Sequence, residues 1–166
     1  MKKNIWAKTI LSVYNYLDRV SQAIDKLVKE NACNSFYFTG LNQSKNGVMQ
    51  VADRIIALSE RKIKLINLRV LADQALVDCD RGSARILIER YMDCDSAEEI
   101  AKRHNLNIRT YFRHLVSAEE EFCSNLARYG YNGDKLLAFL KDERWIMEVY
   151  EKYLAQENGE EVEAAA

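Results

Sequence analysis

Residues 84–122 read ARILIERYMDCDSAEEIAKRHNLNIRTYFRHLVSAEEEF, and the fold turns on this stretch. Its spacing predicts three short helices. The first runs about Ala84–Met92 with Ile86, Leu87 and Tyr91 apolar, and the acidic break Asp93-Cys94-Asp95 follows. Ser96 then opens Ser-Ala-Glu-Glu, a hydroxyl N-cap with a glutamate at the third position, which is the pattern of a capping box. That helix turns Ile100 and Ala101 inward and ends near His104. Asn105 suits a left-handed position, which asparagine tolerates best after glycine. Asn107 is placed to cap a third helix that presents Ile108, Tyr111 and Leu115 to the core. Ala101 is small where two helices would cross, and Leu106 plugs the turn. A helix held this way projects its first turns outward, at a size the DNA major groove accepts.

Composition supports helices on both sides of this stretch. The 166 residues hold no proline and six glycines, where average usage gives about eight and twelve. A chain short of both breakers, 48% apolar and 30% charged, favours long helices. From about Lys3 to Glu30, Trp6, Ile10, Val13, Leu17, Val20, Ile24 and Leu27 alternate at spacings of four and three, a heptad seam. The seam suits either the core of a bundle or a coiled-coil contact with a second copy through residues 6–28. Residues 31–47 read as a polar loop, with Phe36-Tyr37-Phe38 expected to dock on the bundle. From Val48 to about Asp80 two apolar stripes alternate; Ile56, Ile63, Ile66 and Val70 make the second, which suggests a helix packed on two sides. Arg81-Gly82-Ser83 reads as a helix stop and a new N-cap. A last helix is expected over about Asp134–Ala155, opened by Gly133. The acidic end, Glu157–Ala166, is expected to fray.

These segments divide the chain into a helical hairpin over 1–80, a helix-turn-helix module over 83–130, a packing helix over 133–156 and a disordered tail over 157–166. The expected fold class is all-α: a long hairpin or bundle, then the helix-turn-helix, then a C-terminal helix. Net charge is −1 and the isoelectric point about 6.2, so no global basic field points to a polyanion. Cysteines 33, 79, 94 and 123 form no CxxC pair and only two histidines are present, which argues against a metal site and for reduced, mostly buried thiols. There is no phosphate loop and no Ser/His/Asp set, so no enzyme and no cofactor are expected. No apolar run is long enough to span a membrane. Lys8, Asn15 and Asp18 interrupt the apolar region that a signal peptide would need, so the expected location is cytoplasmic.

Ser96–Phe122 resembles, without a gap, the helix-turn-helix of region 4 of the sigma-70 family. The family's "L-L-x-R-Y" segment is matched by Leu87-Ile88-Glu89-Arg90-Tyr91 with Ile86 before it. Its "S-x-x-E-I-A" is matched by Ser96, Glu99, Ile100 and Ala101, and its later hydroxyl and apolar positions by Thr110, Tyr111 and Leu115. The layout also looks like that of small phage-type regulators. The chain departs from the family at Asn105, where glycine is usual, at His104, where the family packs an apolar residue, and at Phe112, where a polar groove-facing residue is usual. His104 reads as a half-buried core histidine. Phe112 suits either packing on the amino-terminal bundle or contact with a thymine methyl. Glu119-Glu120-Glu121 read as a solvated acidic face. Residues 83–128 hold seven Lys/Arg against eight Asp/Glu, so the module is not basic.

The resemblance implies a sequence-specific, sigma-like transcription regulator whose partners are double-stranded DNA and possibly RNA polymerase. Asn107, Arg109, Thr110, Arg113 and His114 would face the groove, with Arg109 and Arg113 one turn apart on one face. Either arginine could fork onto guanine O6 and N7. Ser96, Lys102 and Arg103 would hold the backbone. The alternative is a helical protein–protein adaptor that keeps the helix-turn-helix only as a scaffold, a reading that the acidic residues after Leu115 favour.

Overall fold

The computed structural model describes residues 4–38 and 45–164, with side chains described over 4–33 and 47–159. Among the described residues the chain is helical throughout, with no strand. The α-helices are α1 (Ile5–Phe38), α2 (Lys45–Val77), α3 (Arg81–Leu87), α4 (Ala97–Arg103), α5 (Ile108–Arg128), α6 (Gly133–Leu140) and α7 (Arg144–Ala164). A π-helical turn, Ile88–Met92, continues α3. No helix among the described residues is long and apolar enough to cross a membrane.

Two compact units divide the chain, and their borders fall inside helices rather than in loops. One unit is Tyr16–Val70. Leu17 and Ile24 from α1 and Leu65 and Leu68 from α2 are buried in it. Lys62 donates to Asp25 at 2.6 Å and Arg69 pairs with Asp18. Numbers rise along one helix as they fall along the other, so the two segments run antiparallel.

The other unit holds the chain up to Asn15 and from Leu71 onward. Its interior is built from Ile5, Ile10 and Leu11 of α1, Ala72 and Ala75 of α2, Leu87, Ile100 of α4, and Tyr111, Phe122 and Leu126 of α5. Leu140 and Ile146 add α6 and α7, and Trp6 stacks on Tyr150 with ring centroids 4.4 Å apart. Burial of each large apolar side chain stabilises by about 1.5–3 kcal/mol. This unit carries the α4–turn–α5 segment.

Several expectations are corrected. Helix α1 runs on to Phe38, into the stretch read as a loop; whether the rings of 36–38 dock lies outside the described side chains. Trp6, Ile10, Val13, Leu17 and Ile24 are each at most 7% exposed. The chain itself covers most of the seam expected to bind a second copy through residues 6–28. Conversely, Ile56, Ile63, Ile66 and Val70 stand open, so α2 is not packed on two sides. Asp80, not Ser83, caps α3: its carboxylate accepts from the Gly82 N–H at 3.0 Å. The expected single C-terminal helix is broken between α6 and α7 without proline or glycine. There Glu143, 2% exposed, accepts from the Trp145 indole N–H at 3.0 Å. The expected tail is helical through Ala164, since alanine and glutamate favour helix and Lys8 reaches Glu157 at 3.7 Å. Cys33 and Cys94 are exposed rather than buried.

Candidate nucleic-acid interface

The support of the α4–turn–α5 segment begins at the π turn, where the Asp93 N–H bonds the carbonyl of Ile88 at 3.0 Å, five residues back. This turn includes Glu89, whose side chain is 8% exposed. Glu89 meets His104 Nε2 at 2.8 Å, Arg85 Nε at 3.1 Å and Arg103 at 3.3 Å. Burial pushes the Glu89 carboxyl up, but the hydrogen bonds from His104, Arg85 and Arg103 outweigh it and hold the group below the usual glutamate value. The His104 side chain is 20% exposed, as a half-buried residue should be. Two turns of sequence apart, the Tyr91 hydroxyl donates to Glu119 Oε1 at 2.6 Å and ties the π turn to α5.

The start of α4 is the capping box that the sequence predicts. The Glu99 N–H donates to Ser96 Oγ at 3.3 Å and the Ser96 N–H to Glu99 Oε2 at 3.0 Å. Its end is a Schellman motif. The Leu106 N–H reaches the carbonyl of Ala101 at 2.8 Å and the Asn105 N–H that of Lys102 at 3.2 Å. Asn105 takes φ 54°, the left-handed conformation expected of it. Asn107 then caps α5, accepting from the Thr110 N–H at 2.8 Å. Ile100, Ala101, Tyr111 and Leu115 are buried, which fixes both helices against the core and sets which face of α5 looks outward.

That outer face carries Arg109, Arg113 and His114, all exposed, with Thr110 half-buried. Neither guanidinium has an ion-pair partner among the described residues. Lys102 is exposed on α4. The other expected contacts are engaged within the fold. Ser96 and Asn107 spend their oxygens on helix caps, and Arg103 is paired with Asp95 at 2.8 Å and with Glu89. Arg103 therefore serves the support rather than the interface.

The structure adds an apolar stripe to this face. Ile108, Phe112 and Val116 follow one another at four-residue steps and are 43%, 47% and 47% exposed. With Arg109, Arg113, Ser117 and Glu120 they line a shallow groove of about 700 Å³. Ile108 is thus not a core residue; the inward positions one turn apart are Tyr111 and Leu115. Phe112 stays open, meeting the Tyr111 ring edge-on at 5.2 Å. The acidic run is also not one solvated face. Glu119 is 1% exposed, Glu120 is exposed, and Glu121 accepts from the Asp80 N–H at 2.7 Å. No protein-family model, curated protein or solved structure matches this chain.

The chemistry on offer is recognition. Burial pushes the Cys79 and Cys123 thiols up to about 11, far from the thiolate a nucleophile needs. Among the described residues no group of three or more His, Cys, Asp or Glu side chains could hold a metal. The hub at Glu89 escaped the sequence reading. Its signal was a lone acid in the apolar run Ile86-Leu87-Ile88, with Arg85 four residues before it.

Proposed function

We propose that this protein is a sequence-specific, sigma-like DNA-binding transcription regulator whose α4–turn–α5 segment acts as a helix-turn-helix. In this reading the first two turns of α5 enter the major groove. The observation that carries it is the pair of open guanidinium groups, Arg109 and Arg113, one turn apart on a helix anchored at its base by a Schellman turn and an asparagine cap. Arg109 and Arg113 fork onto guanine edges, His114 and Thr110 stand beside them, and Lys102 meets phosphate. Phe112 and Ile108 offer apolar contact to thymine methyl groups. With about three to four open cations, the salt dependence is shallow, a slope of roughly −3 in log K against log salt.

A second reading, a helical adaptor that docks another protein on α5, is favoured by one observation: the exposed Ile108–Phe112–Val116 stripe with Glu120 at its far end. RNA polymerase is a partner compatible with either reading. Selection from a random duplex pool separates the two. The regulator reading expects a short motif to be enriched over several rounds. An unenriched pool would leave the adaptor reading standing.

A further inference from the structure

In the Tyr16–Val70 unit, one face of α2 is buried through Leu65 and Leu68, and the opposite face is apolar and open. Met49, Ile56, Ile63 and Val70 recur at every seventh residue and are 63%, 56%, 57% and 52% exposed; Ile66 beside them is 42% exposed. Isolated exposed aliphatics are ordinary. A run in strict register over 21 residues of α2 is not, and it extends for roughly 32 Å of helix. A straight α-helix drifts by about 20° per heptad, so a seven-residue repeat stays in line only when the helix winds around another helix.

We propose that a second copy of this chain docks on this stripe, α2 against α2 in parallel, as a two-stranded coiled coil. Ile56, Ile63 and Val70 take the a positions, where β-branched residues favour two parallel strands. Ala52, Ser59 and Ile66 take the d positions, and the two small residues let the helices approach closely. The same face on both copies gives a closed two-fold contact. In that register Glu60 lies across from Ile55 and Asn67 across from Lys62, so no like charges oppose each other. Lys62 and Arg69 are already held by Asp25 and Asp18 of their own chain, which orders their stems as flanks. The stripe exposes on the order of 450 Å² of apolar surface per copy, at the upper end for a monomer's largest patch. Two copies and their polar flanks reach the roughly 1,200 Å² at which stable interfaces begin. The α1 seam, spent inside the chain, is not used. The contact stands whether or not the protein binds DNA.

The test is the solution mass of the full chain by light scattering across micromolar concentrations. Wild type is expected near twice 19.2 kDa, about 38 kDa. Ile63→Glu is expected to return to the monomer mass with its helical circular dichroism unchanged, because position 63 is open in the single chain. The milder pair Ile56→Ser with Val70→Ser shows the same loss if the glutamate variant fails to fold. Phe112→Glu, on α5, stays dimeric. A wild-type monomer throughout, a dimer that survives both α2 variants, or a dimer broken by Phe112→Glu each overturns the proposal.

Discussion

Glu119 gives the sharpest test of how the interior of the α5 unit is held. It is 1% exposed, Oε1 accepts from Tyr91, and Oε2 has no hydrogen-bond partner in the fold. Burial raises its carboxyl above the ordinary value, against the lowering effects of the Tyr91 hydroxyl, Lys8 and Asn4. The folded state therefore keeps its proton to higher pH than the unfolded chain does. That contribution is full below the unfolded value of about 4.3 and is lost as pH rises through the folded value. Glu119→Gln keeps an acceptor for Tyr91 and cannot ionise, and its amide brings a donor toward the orphaned Asn4 Oδ1. Removing one unsatisfied buried carboxylate oxygen is expected to stabilise by about 1–3 kcal/mol at pH 7.5, or roughly 3–8 °C in Tm for a chain of this size. Glu119→Ala orphans the Tyr91 hydroxyl and leaves a cavity, a loss of about 2–4 kcal/mol. Urea unfolding followed by circular dichroism from pH 5 to 8.5 measures both. The glutamine variant should gain on wild type as pH rises, and the two should converge in acid. Parallel pH profiles, or a glutamine variant weaker than wild type at pH 7.5, would refute this reasoning.

Two further substitutions probe the frame around α5. Asn105→Gly relieves the left-handed residue at φ 54° and is expected to raise stability by about 0.5–1 kcal/mol, while the β-branched Asn105→Val lowers it by more than that; thermal melts of the pair check the sign. Glu89→Gln deprives Arg85, Arg103 and His104 of a shared charged acceptor, an expected loss of about 1–3 kcal/mol limited by the solvent that reaches Arg85 and Arg103. Because the Glu89 carboxyl is held down, its contribution is present at neutral pH and lost only as pH falls through its folded value, below about 4. Acid titration of the melting temperature should therefore fall more steeply for wild type than for the glutamine variant.

The local rules of helix ends were the most legible part of the chain. Ser96 with Glu99, Asn105 and Asn107 read correctly because capping and left-handed turns depend on three or four neighbouring residues. The heptad seam of α1 was visible too, but periodicity shows only that a face is buried, not whether the same chain or another one covers it. The open stripe of α2 is the counterpart of that ambiguity. Ile108 and Tyr111 exchanged expected places because a helix face can be assigned from sequence only to within about one residue, which is 100° of rotation. The break at 141–143 and the hub at Glu89 rest on contacts between residues distant in sequence or on a π turn, and no short pattern announces either. Arg103 could not be separated from Lys102 without seeing Asp95 and Glu89 beside it.

The claim that α5 reads a duplex is tested most directly by fluorescence anisotropy. Wild type and the Arg109→Ala, Arg113→Ala double variant would be titrated against the best duplex from the selected pool at 50 and 200 mM salt. Loss of both arginines is expected to weaken binding by about a hundredfold or more, with the salt slope falling by about two and the helical signal unchanged. Equal affinity of the two proteins for that duplex at both salt concentrations would contradict the account.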